Sequence, residues 1–310
     1  MITRTTTLFG ATAVVVALAL SGCSGAGDSG AEAAADANLP AGDEVSTTVD
    51  PALTELLPDD IVEKGRIDVA IDVPYPPMAM YDENNRVIGF DPELGRLLGQ
   101  KLGIDVSLNK QAFDSIIPSL QADKNDIIMS GMNDTPERQE TLTFVDYTHG
   151  GFAILVAAGN PNGVATQHDL CGKTVSVQKA TVQGELLRAM DCGADPVVVT
   201  ELPSDLDAQT ALRAGKSDAY VADGYVAEYV AAHTEDGEAF DVVRDPENPS
   251  GFNPVYSGIG ILKEETELIE VIRQALQALM DEGSYQKVLE RNDLAPYAVD
   301  SAEVNQGTVQ

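Results

Sequence analysis

An α/β fold in two lobes, joined by a two-segment hinge, is what this 310-residue sequence predicts. Three observations carry that expectation. Short apolar runs alternate with amphipathic helices from Arg66 to Arg138, and a second series of the same kind runs from Thr174 to Ala222. A last strand and helix, residues 258–262 and 268–283, have no further sheet to build and so return to the first lobe, which makes two chain crossings between lobes. The length suffices for two domains, each with its own core.

Taken in order, residues 1–22 have the layout of an export signal: Arg4 gives the positive start, and residues 8–20 form an apolar core shorter than a membrane-spanning helix needs. The core closes on Leu20-Ser21-Gly22-Cys23, which resembles the lipobox of bacterial lipoproteins, whose cysteine receives a diacylglyceryl group and becomes the new N-terminus. The alternative is a plain secretory signal with a chance cysteine. Acyl chains in combination give lasting attachment where one alone does not. Residues 23–55, rich in Ala, Gly, Asp, Ser and Thr, read as a flexible tether. Lobe 1 is expected over residues 56–150 and 258–310, and lobe 2 over residues 151–257.

Within lobe 1, residues 67–71 alternate as a strand, and Asp91-Pro92 are placed to cap a helix carrying Leu94, Leu97, Leu98 and Leu102 on one face. Residues 106–108, a helix through Ile116 and Leu120, and a strand over 126–130 continue the alternation. Lobe 2 offers strands at 174–178, 197–200 and 218–222, with helices at 184–190 and 205–214 between them. Ser204 and Asp207 resemble a capping box, and Gly215 stands where a helix should stop. Ligands in such sheets sit in the crevice beyond the carboxyl ends of the strands.

Fifty acidic residues against nineteen basic ones give a net charge of -31, which disfavours nucleic acid and anionic lipid surfaces as partners. With Cys23 reserved for the anchor, Cys171 and Cys192 are an even pair in an exported chain and are expected to form a disulfide; two free buried thiols are the alternative. Three histidines and two distant cysteines make no metal-ligand cluster, and no cofactor is expected.

Residues 126–138 are the most informative stretch: an apolar strand, a polar loop, then a helix start with Thr135 as cap and Pro136 behind it. Arg138 in a first turn opposes the helix dipole, so it is either a solvated residue balanced by Glu137 or a fork for an incoming carboxylate. Thr181 and Val182 follow a strand and open a helix, so their amides can face an anion, although Thr181 can equally cap that helix. Asp223 ends a strand and precedes a helix, which also allows an N-cap. Asp72 precedes a proline-rich turn and can meet a cationic ligand side chain or hydrogen-bond the turn itself.

From about residue 58 to 304 the chain resembles the polar-amino-acid-binding proteins of bacterial ABC importers. The blocks that carry the resemblance are Tyr75-Pro76-Pro77-Met78, Gly89-Phe90-Asp91-Pro92-Glu93-Leu94, residues 113–120, residues 126–138, residues 177–183 and residues 218–223. It implies a type II periplasmic-binding-protein fold with Arg138 on the ligand's α-carboxylate, assisted by backbone donors about Ser130, Gly131 and Asn133 and by the Thr181–Val182 turn. It gives Asp223 the α-ammonium, Tyr75 and Phe113 the flanks of the ligand side chain, and Gln178 and Met132 the rest of that pocket. The family usually has glycine where Ala180 stands and a small hydroxyl residue where Asn133 stands.

The same resemblance implies a monomer, held at the outer face of the cell membrane, that captures a small polar or cationic amino acid without catalysis and delivers it to an ABC permease with a cytoplasmic ATPase. A periplasmic dehydratase of the cyclohexadienyl type shares the fold, but it needs a general acid, and His149, His168 and His233 lie outside the matching blocks. A ligand-sensing module of a signalling system is the third reading, because one clamp serves either use.

Overall fold

The computed structural model describes residues 45–248 and 250–308. The export signal, Cys23 and most of the tether lie outside the described residues. Residues 45–55, expected in the tether, are ordered against the folded lobe from Val45 onward. Asp50 accepts a hydrogen bond from the Ala52 amide at 3.0 Å and caps helix α1 (Pro51–Thr54), and Val45, Leu53 and Leu57 join the core.

After α2 (Asp59–Lys64) comes strand β1 (Arg66–Ile71), then a hairpin of β2 (Met80–Tyr81) and β3 (Val87–Ile88), helix α3 (Phe90–Leu102) and strand β4 (Asp105–Lys110). Helix α4 (Ile116–Gln121), strand β5 (Ile127–Ile128) and the long strand β6 (Leu142–Ala157) follow. The next elements are β7 (Thr174–Gln178), α5 (Val182–Ala189), β8 (Val198–Leu202), α6 (Asp205–Arg213) and β9 (Ala219–Asp223). Helix α7 (Gly224–His233), strands β10 (Phe240–Val243) and β11 (Phe252–Leu262), and helices α8 (Thr266–Asp281) and α9 (Ser284–Arg291) complete the chain.

Hydrogen bonding orders the main sheet β4-β1-β5-β11-β6-β9-β7-β8, with β10 also on β6. The central strands β1, β7 and β9 are buried over nearly their whole length, as strands covered by helices on both faces must be. Strands β1, β4 and β5 run parallel, as do β7, β8 and β9, and each group is one lobe's sheet. Antiparallel β6 and β11 join the two, the first half of β6 lying with β11 and its second half with β9 and β10. Strand β11 starts at Phe252, ahead of the expected 258–262. Gly150 and Gly151 sit within β6, where a Cβ would collide with Tyr297 and with the Gly251 backbone, so the strand passes a crowded point that only glycine fits.

Leu268, Ile272, Leu276 and Leu279 of α8 pack into the same core as Leu94, Leu97, Leu98 and Leu102 of α3. The last strand and helix therefore belong with the first sheet. The tail then lies along β6: the Asn305 amide donates to the Phe144 carbonyl at 3.1 Å and the Gln306 amide to Asp146 at 3.0 Å. The Gly307 amide donates to Asp134 at 2.6 Å, and Gln139 Nε2 reaches the Gly307 carbonyl at 3.0 Å. Cys171 and Cys192 form a disulfide across a separation of 21 residues.

Candidate functional site

Four strand ends converge between the lobes. In lobe 1, β1 leads into Asp72 and the proline-rich turn holding Tyr75, and β5 leads into residues 129–138. In lobe 2, β7 leads into Gln178, Ala180 and Thr181, and β9 ends on Asp223. This is the crevice that parallel sheets place beyond their carboxyl ends.

Arg138 stands in a single 3-10 turn, Arg138–Glu140, rather than in an α-helix, because the chain enters β6 directly afterwards. Thr135 still plays its capping part, its Oγ1 accepting from the Arg138 amide at 3.3 Å. The guanidinium gives Nη1 to the Asn133 carbonyl at 2.8 Å and Nη2 to the Ala180 carbonyl of lobe 2 at 3.0 Å, and its carbon lies 5.6 Å from the centre of the Phe113 ring. Two of its five donors are so engaged, and the aromatic face below it suits a planar cation. Ala180 carries a positive φ of 62°, a left-handed conformation that alanine adopts at some cost.

Asp223 is 3% exposed. It is the N-cap residue of α7, yet its side chain makes no capping bond. Its Oδ1 accepts from Asn133 Nδ2 at 3.0 Å and Gln183 Nε2 at 3.3 Å, and its Oδ2 accepts from the Tyr75 hydroxyl. Burial pushes the Asp223 carboxyl above the ordinary carboxylate range, against the opposing pull of Tyr75, Asn133 and the Arg138 charge. Asn133 therefore touches both charged groups, its carbonyl on Arg138 and its amide on Asp223, with Ser257 Oγ as a further partner at 3.0 Å. A single residue thus links the cation of one lobe to the anion of the other.

Asp72 reaches across the lobes to Gln178, whose Nε2 donates to Asp72 Oδ2 at 2.5 Å. Burial raises its carboxyl above the usual range, and the Gln178 bond partly offsets this. At the rim, Lys179 and Asp114 form a half-exposed ion pair at 2.7 Å, the kind that contributes little on its own.

Several candidates serve the scaffold. The Ser130 hydroxyl accepts from the Asp72 amide at 2.9 Å and fixes the start of the proline turn. The Gly131 amide points inward, to Asp91 Oδ2 at 2.9 Å and the Tyr147 hydroxyl at 3.2 Å, so it is committed to the fold rather than to a carboxylate in the cleft. Met132 is buried with Ala70, Ile116, Ile128 and Phe144, a core position rather than a pocket wall. The Thr181 hydroxyl donates to the Gln178 carbonyl at 2.7 Å and does not cap α5, which leaves the first amides of that helix, Val182 included, without a side-chain cap.

Asp91 is not the cap expected of it either. Gly89 holds the N-cap position, and Asp91 lies buried in the first turn of α3, its carboxyl pushed up to about 7 by burial. Asp91, Tyr147, Gln183 and Ser257 escaped sequence reading. Asp91 lies in the Gly89–Leu94 stretch that carries the resemblance, but nothing local tells a buried carboxylate beneath a loop from a helix cap. Among the described residues no group of three or more His, Cys, Asp or Glu could hold a metal, and no helix is long and apolar enough to cross a membrane.

Two α/β lobes, two crossing strands and charged groups of opposite sign converging from both lobes define a solute-binding protein. The chain belongs to the family described as bacterial extracellular solute-binding proteins, family 3, which it matches over residues 67–292. It is 28% identical over 262 residues to the arginine-binding protein ArgT of Corynebacterium glutamicum, covering 83% of each chain. With the L-cystine-binding protein TcyJ of Escherichia coli it shares 27% identity, over 74% of this chain and 84% of that one.

Among solved structures, the holo arginine-binding protein ArgBP of T. maritima superimposes with a TM-score of 0.67 at 29% identity, over 76% of this chain and 99% of that one. An ancestral amino acid-binding protein, described as a precursor of cyclohexadienyl dehydratase, gives a TM-score of 0.67 at 29% identity, over 76% and 98%.

Proposed function

We propose that this protein captures a polar or cationic amino acid, arginine foremost, between its lobes and hands it to an ABC permease driven by a cytoplasmic ATPase. The observation that carries the reading is the span from Arg138 through Asn133 to Asp223, a cation and an anion on opposite lobes that hydrogen-bond the same residue of the cleft. Arg138 takes the α-carboxylate together with the first amides of α5, and Asp223 takes the α-ammonium. Tyr75 and Phe113 flank the ligand, and Asp72 with Gln178 receives a cationic side chain. That last pair, and relatives named for arginine, favour arginine over neutral ligands.

Lobe 1 then comprises residues 45–150 and 258–308, taking in the packed segment ahead of the expected start at 56, and lobe 2 residues 151–257, so the cleft opens and closes about β6 and β11. A ligand that contacts both lobes stabilises the closed arrangement, which the permease would recognise. The protein works as a monomer tethered through lipidated Cys23 outside the membrane, and it binds without turnover. Titration calorimetry on protein freed of co-purified ligand tests the reading. Arginine should bind at one site, and Arg138→Ala should abolish the heat while leaving thermal unfolding near that of the parent. Unchanged affinity in Arg138→Ala would remove the clamp, and release of phenylpyruvate from prephenate would replace binding by catalysis.

A further inference from the structure

The chain after α9 lies on the edge of β6 that β9 occupies further along. Phe152 of β6 pairs with Phe252 of β11 on one side and with Asp223, the last residue of β9, on the other. Val145 and Thr148 pair with Ile259 and Ser257 of β11, and they bridge Val304 and Ala298 as well. A strand has two hydrogen-bonding edges, so β9 and the terminal segment share the one that β11 leaves open. On that edge β9 stops opposite Phe152, and the terminal segment takes up pairing at Thr148.

The ring of Tyr297 fills the step between them. It lies against Gly150, where it leaves no room for a Cβ, and its hydroxyl comes within 3.2 Å of where a Cβ on Gly224 would stand. Gly224 opens α7 directly after Asp223. Tyr225, the next residue, meets the same ring edge-on, with centroids 5.3 Å apart and planes at 85°. Both tyrosines are buried. Burial, and then the charge of Glu228 of α7, raises the Tyr297 hydroxyl above its usual range, so it stays protonated near that carboxylate. Glu228 is itself paired with Arg244 at 2.8 Å. Because the Asp223 side chain makes no capping bond, packing of this kind is what locates the start of α7 and the strand end before it.

We propose that Tyr297 is a positioning residue for ammonium recognition: its ring, wedged between Gly150 and the start of α7, sets where Asp223 presents its carboxylate to the ligand. The inference rests on the ammonium role given to Asp223 above. A charge-assisted hydrogen bond depends on close placement, so a shift of the strand end weakens it more than it weakens contacts made elsewhere in the cleft.

The test compares two ligands by titration calorimetry: arginine, and 5-guanidinopentanoate, which is arginine without its α-amino group. The parent should prefer arginine by roughly 100-fold. Tyr297→Ala and Tyr297→Leu should each weaken arginine about tenfold while leaving the desamino acid within about twofold, so the preference shrinks. Tyr297→Phe keeps the ring and should keep the parental preference. A ring that only supported the fold would weaken both ligands alike. Equal losses for the two ligands, or a parental preference in both the Ala and the Leu variant, would overturn the part given to Tyr297. A parent with no preference for arginine would instead overturn the ammonium role of Asp223, and this inference would fall with it.

Discussion

Replacing Asp223 by asparagine should move ligand affinity and stability in opposite directions. Asp223 is nearly fully buried, and burial holds its carboxyl above the ordinary range, so the ionised form is disfavoured in the protein on its own. Asparagine keeps the bond set: its carbonyl can occupy the Oδ1 position and accept from Asn133 and Gln183, while its amide donates to Tyr75, whose hydroxyl can turn to accept. Stability of the ligand-free protein should therefore rise by up to about 1 kcal/mol at pH 7. Binding loses the charged partner of the ammonium, worth about 3 kcal/mol in a buried pair, or roughly 150-fold in Kd.

The pH dependence has a definite sign. A raised carboxyl pKa means the folded protein holds a proton that the unfolded chain releases, so this contribution to stability is present at low pH and is lost as pH rises above the ordinary carboxylate value. Ligand binding needs the ionised form, so affinity falls as pH drops, and Asp223→Asn flattens that slope. Calorimetry with arginine across pH and unfolding of the ligand-free protein read both effects. Affinity within threefold of the parent, or a stability loss matching the affinity loss, would refute the reasoning.

Removing the disulfide by Cys171→Ser with Cys192→Ser frees a loop of about twenty residues, and lowers stability by roughly 3 kcal/mol while leaving arginine affinity within twofold; denaturant unfolding of the double variant measures it. Ala180→Gly relieves the left-handed conformation at that position and should stabilise the ligand-free protein by about 1 kcal/mol, read as a higher unfolding midpoint. Asp146, pushed up to about 8 by burial, makes the fold less stable as pH rises from 4 toward 8, so Asp146→Asn should flatten the pH dependence of unfolding over that range.

Strand and helix periodicity located most elements because those segments are long and one-faced. Residues 174–178 and α6 fell within a residue or so of their observed bounds, whereas the hairpin of β2 and β3 and strand β10 are too short to show a period. The first crossing strand has no clear period in sequence, since β6 passes through Gly150 and Gly151, which are dictated by the close approach of Tyr297 and Gly251. The charged residues of the cleft were legible because their chemistry is unusual for their local position. Gln183, Ser257 and Asp91 are not, since each matters through a partner at least forty positions away in sequence.

The tail that lies along β6 ties residues 305–307 to the turn bearing Arg138, through Gln139 and Asp134. That proximity makes Thr308, which is exposed, a natural anchorage for an environment-sensitive dye. A fluorophore carried there would sense rearrangement of the turn without occupying the cleft, converting the molecule into an optical gauge of its own ligand concentration. The converse is a practical warning for affinity tags fused at the same end: Gly307 has no room for a side chain against Asp134, so a fusion that displaces this segment would disturb the footing of Arg138.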